Sequence, residues 1–298
     1  MDSCAKLSHL STHAFRIALY TISLKGMRGG MSSTAEQRVQ TKEMDGVGLV
    51  LSGGGARGVA HVGVIKFLEE IGVLPNVVAG TSAGALVGSL YAAGYNAQEM
   101  LDFFLRTTVF SPKNYAFRKP GLIDLEGFIP VFKEMIPHDT FEGLGRKLFV
   151  VATDMEKGER KVFRAGELIR PVLASAAMPF VFPPVEIDGV LYSDGGITDN
   201  FPVELLTDAY PRTIGVYVNP LAPAPRNELD SSIEVLLRAY HVGVHEQVRN
   251  SFAKCTVLIT PELNDYTTLG MQHLQAIHDL GYAAAKCVRS KLLKVLGG

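Results

Sequence analysis

Cysteine is scarce in this 298-residue chain, and its three copies, Cys4, Cys255 and Cys287, stand far apart with no Cys-x-x-Cys spacing. That argues against a cysteine-rich zinc site and a disulfide scaffold, and leaves the cysteines as packing residues in a reducing compartment. A surplus of either charge is missing too, since 29 Lys and Arg stand against 30 Asp and Glu. This balance predicts neither a nucleic-acid groove nor a strongly charged membrane patch. No apolar run approaches the roughly 18 residues of a spanning helix. The expected protein is therefore soluble, or rests on a membrane without crossing it. His241 and His245 stand at i, i+4 on a predicted helix, a metal-compatible spacing, yet no HExxH accompanies them and no metal site is expected.

What is present is a composition 47% hydrophobic, enough to bury one sizeable core. Residues 1–45 differ from the rest: they are rich in Ser and Thr and carry Lys6, Arg16, Lys25 and Arg28 against one early acid, Asp2. Arg16 interrupts the apolar stretch from Ala14 to Leu24 and no clear cleavage site follows, so the segment reads as a poorly ordered extension rather than a secretory signal. Met27, Met31 and Met44 are each able to begin a shorter product. From Val47 onward, short apolar runs alternate with amphipathic stretches, the pattern of a parallel sheet covered by helices. Strands are expected at Val47 to Leu51, Val77 to Ala79, Leu148 to Thr153, Val190 to Ser193, Ile214 to Val218 and Thr256 to Ile259. Helices are expected at Gly58 to Ile71, Ala83 to Ala93, Gln98 to Arg106 after an Asn96 cap, from near Leu125, Ser232 to Phe252 and Leu269 to Val295. Thr108 to Gly121 reads as a long loop able to cover a site.

Three motifs carry the chemistry. Gly53-Gly54-Gly55-Ala56-Arg57-Gly58 lies between a strand and a helix, where glycines turn backbone amides toward one point and the helix start adds positive charge. It is an anion site. A dinucleotide reading needs an acid at the end of the second strand, and a P-loop needs Lys-Ser/Thr after Gly58; neither is there, so no cofactor is expected. What ends the second strand is Gly80-Thr81-Ser82-Ala83-Gly84, the small-x-Ser-x-small pattern of a nucleophile elbow. Adjacent parallel strands ending in Ser82 and in the Gly54/Gly55 turn would set a nucleophile beside oxyanion donors, the requirement of acyl transfer. The third motif is Asp194-Gly195-Gly196, which alone is also a common turn. Asp154, another acid at a strand end, reads as a turn cap before a hairpin, and His61 as a packed or locally hydrogen-bonded residue.

In combination these motifs, with Ser175-Ala176-Ala177-Met178-Pro179 before the Asp motif and Asn200-Phe201-Pro202-Val203 after it, resemble the patatin-like phospholipase family from about Val47 to about Val218. The resemblance implies a three-layer α/β/α fold with a mainly parallel central sheet, over a hydrolase domain of residues 46–298. It implies a serine acyl hydrolase acting on lipid carboxylic esters, phospholipase A- or lysophospholipase-like, through a Ser-Asp dyad without histidine. By that likeness Ser82 is the nucleophile and Asp194 the base. The Gly54 and Gly55 amides are oxyanion donors, with Arg57 at the basic position of the same turn. Gly53, Gly58, Gly80, Gly84, Gly195 and Gly196 are motif glycines. Ala83 is a further candidate donor. The expected partners are a lipid or fatty-acyl ester and, transiently, a membrane surface, with the protein cytoplasmic or peripheral at the membrane. A free aspartate is a weak base, so the dyad demands that burial raise the Asp194 pKa. Two other readings stay open: a Ser-Asp-His triad using His241, His245, His273 or His278, and a catalytically silent lipid-binding module. Tyr115, Phe117, Phe128 and the run Phe180-Val181-Phe182 would suit fatty chains, although aromatic clusters are more often core.

Overall fold

A strand covered on both faces needs apolar side chains on both, and the runs that begin near Val47, Val77 and Arg212 meet that need. In the computed structural model, which describes residues 46–107, 125–226 and 229–297, they form β1 (Val47–Leu51), β2 (Val77–Thr81) and β7 (Arg212–Val216). With β3 (Lys147–Asp154) and β8 (Val257–Ile259) they are parallel, in the order β3-β2-β1-β7-β8. Where β2 ends the sheet turns antiparallel: β6 (Val190–Asp194) pairs with the last residues of β3 and β5 (Val185–Ile187) with β6, while β4 (Glu159–Phe163) folds back on β3 as a hairpin. The hairpin turn is capped by Asp154, whose Oδ1 accepts from the amides of Glu156 and Lys157.

Alternation along β1 sets the layers. Val47, Leu49 and Leu51 join the large core with α1 (Val59–Glu70), α2 (Ala83–Ala92), α3 (Ala97–Arg106), α8 (Leu274–Cys287) and α9 (Arg289–Gly297). Val50 faces the other way, into a smaller core with Phe201, Leu206 of the short α6 (Glu204–Thr207) and Val248 at the end of α7 (Ser232–Val248). Helices on both sides of a mostly parallel sheet make three layers, as expected. Two short helices, α4 (Ile129–Met135) and α5 (Ile169–Ser175), complete the fold. α3 opens with the expected cap, Asn96 and Glu99 forming a reciprocal capping box, and buries Met100, Phe103 and Phe104.

One expected helix is corrected: Leu269 to Val295 is not continuous. Residues 269–273 are non-helical, and Val288 separates α8 from α9. Phe128, Val181 and Phe182 are core residues rather than a chain-binding surface, while Phe180 is exposed. Residues 1–45, the loop from Thr108, Tyr115 and Phe117 lie outside the described residues. Among the described residues no helix is long and apolar enough to cross a membrane.

Candidate active site

Strand register brings the elbow and the Asp motif together. Thr81 at the end of β2 pairs with Val151, and Asp194 at the end of the antiparallel β6 pairs with the next residue, Ala152. Because β4 occupies the other edge of β3 from Val150 to Asp154, β2 and β6 share one edge and run toward each other, tip to tip. Ser82 Oγ donates to Asp194 Oδ2 at 2.6 Å across that junction.

Ser82 has φ 53 and ψ −123, a conformation that costs a non-glycine residue on the order of 1–3 kcal/mol and that the surroundings must hold. Its amide donates to Ser175 Oγ at 2.8 Å, and that hydroxyl donates to the Val151 carbonyl. The flanking glycines are steric necessities. A Cβ on Gly80 would lie 2.5 Å from the Gly84 carbonyl oxygen, and one on Gly84 would lie 2.2 Å from that of Leu51.

Asp194 is 3% exposed, and its Oδ1 accepts from the Gly196 amide at 2.7 Å. Its own backbone is fixed at both ends, the amide to the Ala177 carbonyl and the carbonyl by Thr153 Oγ1. Burial pushes its pKa up to about 6 against the hydrogen bonds from Ser82 and Gly196, which lower it. No Lys or Arg pairs with it among the described residues. Desolvation thus supplies the basicity that a free aspartate lacks.

The glycine turn lies across the cleft. The Gly53 amide donates to the Asn200 carbonyl and the Ala56 amide to that of Thr268, whereas the amides of Gly54 and Gly55 find no acceptor among the described residues. Gly55 sits at φ 56, where a Cβ would fall 2.1 Å from the Thr268 carbonyl oxygen. Gly54, Gly55, Ser82 and Asp194 line one small cleft. Gly58 packs the start of α1 against Ala83, and Gly195 lets β6 end against the Val151 carbonyl.

Arg57 is placed differently from its expected company. Its Nε donates to the Tyr266 carbonyl at 2.6 Å, so it braces the turn against the chain ahead of α8 instead of lining the cleft. Ala83 also lies off the cleft wall. His61 is fully buried and bonds the Ser52 carbonyl, one residue before the turn, at 2.8 Å; burial lowers its pKa to about 4.

The rest of the wall combines residues the sequence singles out, Met178, Asn200 and His241, with four it does not: Asn219 in the stretch after β7, Thr268, and Tyr240 and Val244 from α7. Asn219 Nδ2 holds the Gly53 carbonyl at 3.0 Å, a contact 166 residues apart in sequence. Among the described residues His241 hydrogen-bonds neither Ser82 nor Asp194, and His245 Nδ1 instead meets Tyr217 Oη at 3.2 Å. Among the described residues no three His, Cys, Asp or Glu side chains gather as metal ligands.

Residues 49–207 match the patatin-like phospholipase family model. The chain belongs to that family. An NTE family protein of Mycobacterium tuberculosis is 32% identical over 68% of this chain and 57% of its own length. Lysophospholipase NTE1 of Kluyveromyces lactis is 27% identical over 80% of this chain, which spans only 19% of that protein. VipD from Legionella pneumophila superposes with a TM-score of 0.52 at 18% identity, covering 84% of this chain and 67% of VipD, a likeness of fold alone. The patatin-like segment thus contains Ser82, Asp194 and the glycine turn but ends before α7.

Proposed function

We propose that this chain is a serine acyl hydrolase that cleaves carboxylic ester bonds of lipids with a Ser82–Asp194 dyad, residues 46–298 forming the hydrolase domain behind an extension of residues 1–45. The observation that carries the reading is the 2.6 Å bond from Ser82 Oγ to a buried, cation-free carboxylate, in a cleft that also holds two unspent backbone amides. Asp194 takes the Ser82 proton as Oγ attacks the acyl carbon. The Gly54 and Gly55 amides receive the oxyanion. Asp194 returns the proton to the departing alcohol, and water repeats the sequence on the acyl-enzyme. In a triad a histidine stands between serine and acid; here Ser82 donates directly to the acid, which supports the dyad.

Family membership and the likeness to a fungal lysophospholipase support a lipid ester as substrate. Ile233, Val235 and Leu236 stand exposed near the start of α7, the helix that walls the cleft, and suit transient contact with a lipid surface. The test is labelling of Ser82 by an organophosphonate, together with a panel of p-nitrophenyl esters, phospholipid and lysophospholipid assayed with wild type and Ser82→Ala. Labelling and turnover that vanish in Ser82→Ala are expected; an unlabelled, inactive wild type would leave the silent module instead.

A further inference from the structure

We propose that Tyr240 is a further catalytic residue, whose phenol hydrogen-bonds the alcohol oxygen as it leaves the acyl carbon and then the water that replaces it. This rests on the dyad reading above. Tyr240 belongs to α7, outside the family-matched residues 49–207, and lines the cleft with Ser82, Asp194 and Gly54. Its hydroxyl is located by a convergence at Gly196. A Cβ there would lie 2.8 Å from Tyr240 Oη, 2.9 Å from Asn200 Oδ1 and 3.0 Å from Asp194 Oδ1. The phenol oxygen and a carboxylate oxygen of Asp194 thus both border the space above Gly196, on one side of the cleft. Among the described residues this hydroxyl makes no hydrogen bond, unlike those of Tyr91, Tyr217 and Tyr282. Burial and the Asp194 charge hold its pKa well above the ordinary value, so it stays a neutral donor.

Chemistry decides what an unspent donor at that place does. The oxyanion is drawn to the Gly54/Gly55 side, and the proton taken from Ser82 must return from Asp194 to the leaving oxygen. That oxygen consequently lies on the Asp194 side of the cleft, where the Tyr240 hydroxyl also lies. In acylation the bond from Ser82 Oγ to the acyl carbon forms, the ester C–O bond breaks, and Asp194 delivers the serine proton to the alkoxide. Tyr240 lends a hydrogen bond and keeps its own proton. In deacylation the water takes the place of the alcohol: its oxygen bonds the acyl carbon, the Ser82 ester bond breaks, and Asp194 carries the water's proton to Ser82 Oγ.

The experiment compares leaving groups in the full chain. Tyr240→Phe removes one oxygen and keeps the ring, and kcat/KM, which reports acylation, is measured on an ethyl and a p-nitrophenyl ester of the same short acid. An alkoxide needs the hydrogen bond and p-nitrophenolate does not. The ethyl ester should lose about 10- to 100-fold, as for a hydrogen bond to a charged group, and the p-nitrophenyl ester less than about threefold. Labelling of Ser82 by a fluorophosphonate, which expels fluoride, should continue at nearly the wild-type rate and report an intact site. Equal losses on both esters, or none on the ethyl ester, overturn the role of Tyr240 while labelled wild type leaves the dyad standing. If wild-type Ser82 is not labelled at all, the dyad reading falls and this inference with it.

Discussion

Two regions meet at the cleft and reach it by different physics. The strand ends of β1, β2 and β6 bring Ser82, Asp194 and the Gly54/Gly55 amides through backbone constraint: a positive φ at Ser82, close carbonyl approaches at Gly80, Gly84 and Gly55, and a tip-to-tip junction along β3. α7 brings Tyr240, His241 and Val244 through an ordinary helical repeat with no unusual backbone. The first region therefore tolerates almost no substitution at its small residues, whereas the second tolerates change in all but the atoms that touch substrate. The proposed dyad and oxyanion donors sit where the backbone is over-determined; the opposite wall is side chains of a packed helix.

The largest effects should fall in the first region. Ser82→Ala should lower turnover by about 10⁴-fold or more with the fold intact, because the nucleophile is gone and only a hydroxyl's volume is lost. Asp194→Asn should be nearly as inactive, since an amide cannot accept the serine proton. Steady-state rates on p-nitrophenyl butyrate with purified mutants decide both, and substantial residual activity in folded Ser82→Ala would remove it from the nucleophile's role.

Gly54→Val comes next. A Cβ there would lie 2.4 Å from Val218 Cγ2, so the turn must shift and carry its amide with it. Loss of one preorganised donor costs about 10²- to 10³-fold in kcat. The measurement is kcat against melting temperature, and unchanged turnover would rule the turn out as the oxyanion site.

Much of the first region was legible because it is written in residue types that backbone geometry demands: glycines at strand-to-helix turns, a serine between small residues, and Asp-Gly-Gly at a strand end. The parallel strands were legible as apolar runs. What local pattern did not record was the short strand β5, with only three residues, the antiparallel direction of β6, and the pairing of Ser82 with Asp194, which only the family resemblance implied. That depends on a one-residue step in register along β3, which no local pattern records. Tyr240 and Asn219 carried no signal, since a tyrosine on a helix and an asparagine after a strand are both commonplace. Arg57 was legible as a basic residue of the glycine turn but not as a brace, because its acceptor is a backbone carbonyl 209 residues away.

Asp194 sharpens the comparison through pH. A carboxyl raised to about 6 must be ionised to act as base, so kcat/KM should climb as pH rises through about 6 and fall away below it. Stability moves in the opposite direction. The folded state holds the proton more tightly than the unfolded chain, whose Asp titrates near 3.9, so this group's contribution is fully present below about pH 4 and is lost as pH rises through about 6. Asp194→Asn has no such proton to lose. At pH 7.5 the inactive mutant should be more stable than wild type by on the order of 2–3 kcal/mol, the gap closing between pH 6 and 4. Denaturant titrations at the two ends of that range measure it, and a mutant less stable at both would place the cost of Asp194 elsewhere.

The smallest effect should come from the histidines of α7 and α8. His241 is the one able to break the comparison, because it lines the same cleft as Ser82. A triad histidine must accept a proton near neutral pH, yet burial, then Arg57 and Arg238, hold His241 down to about 4, and Ser82 Oγ already donates to Asp194. His245 is engaged with Tyr217, His278 with Asp279, and His273, just ahead of α8, packs edge-on against the Tyr266 ring. Alanine at any of the four should therefore leave turnover within about fivefold of wild type, the scale of a packing change rather than of a lost proton carrier, which typically costs many thousandfold. A folded single mutant as inactive as Ser82→Ala would show that a helix carries the proton after all, and Asp194 would then orient a histidine instead of receiving the serine proton itself.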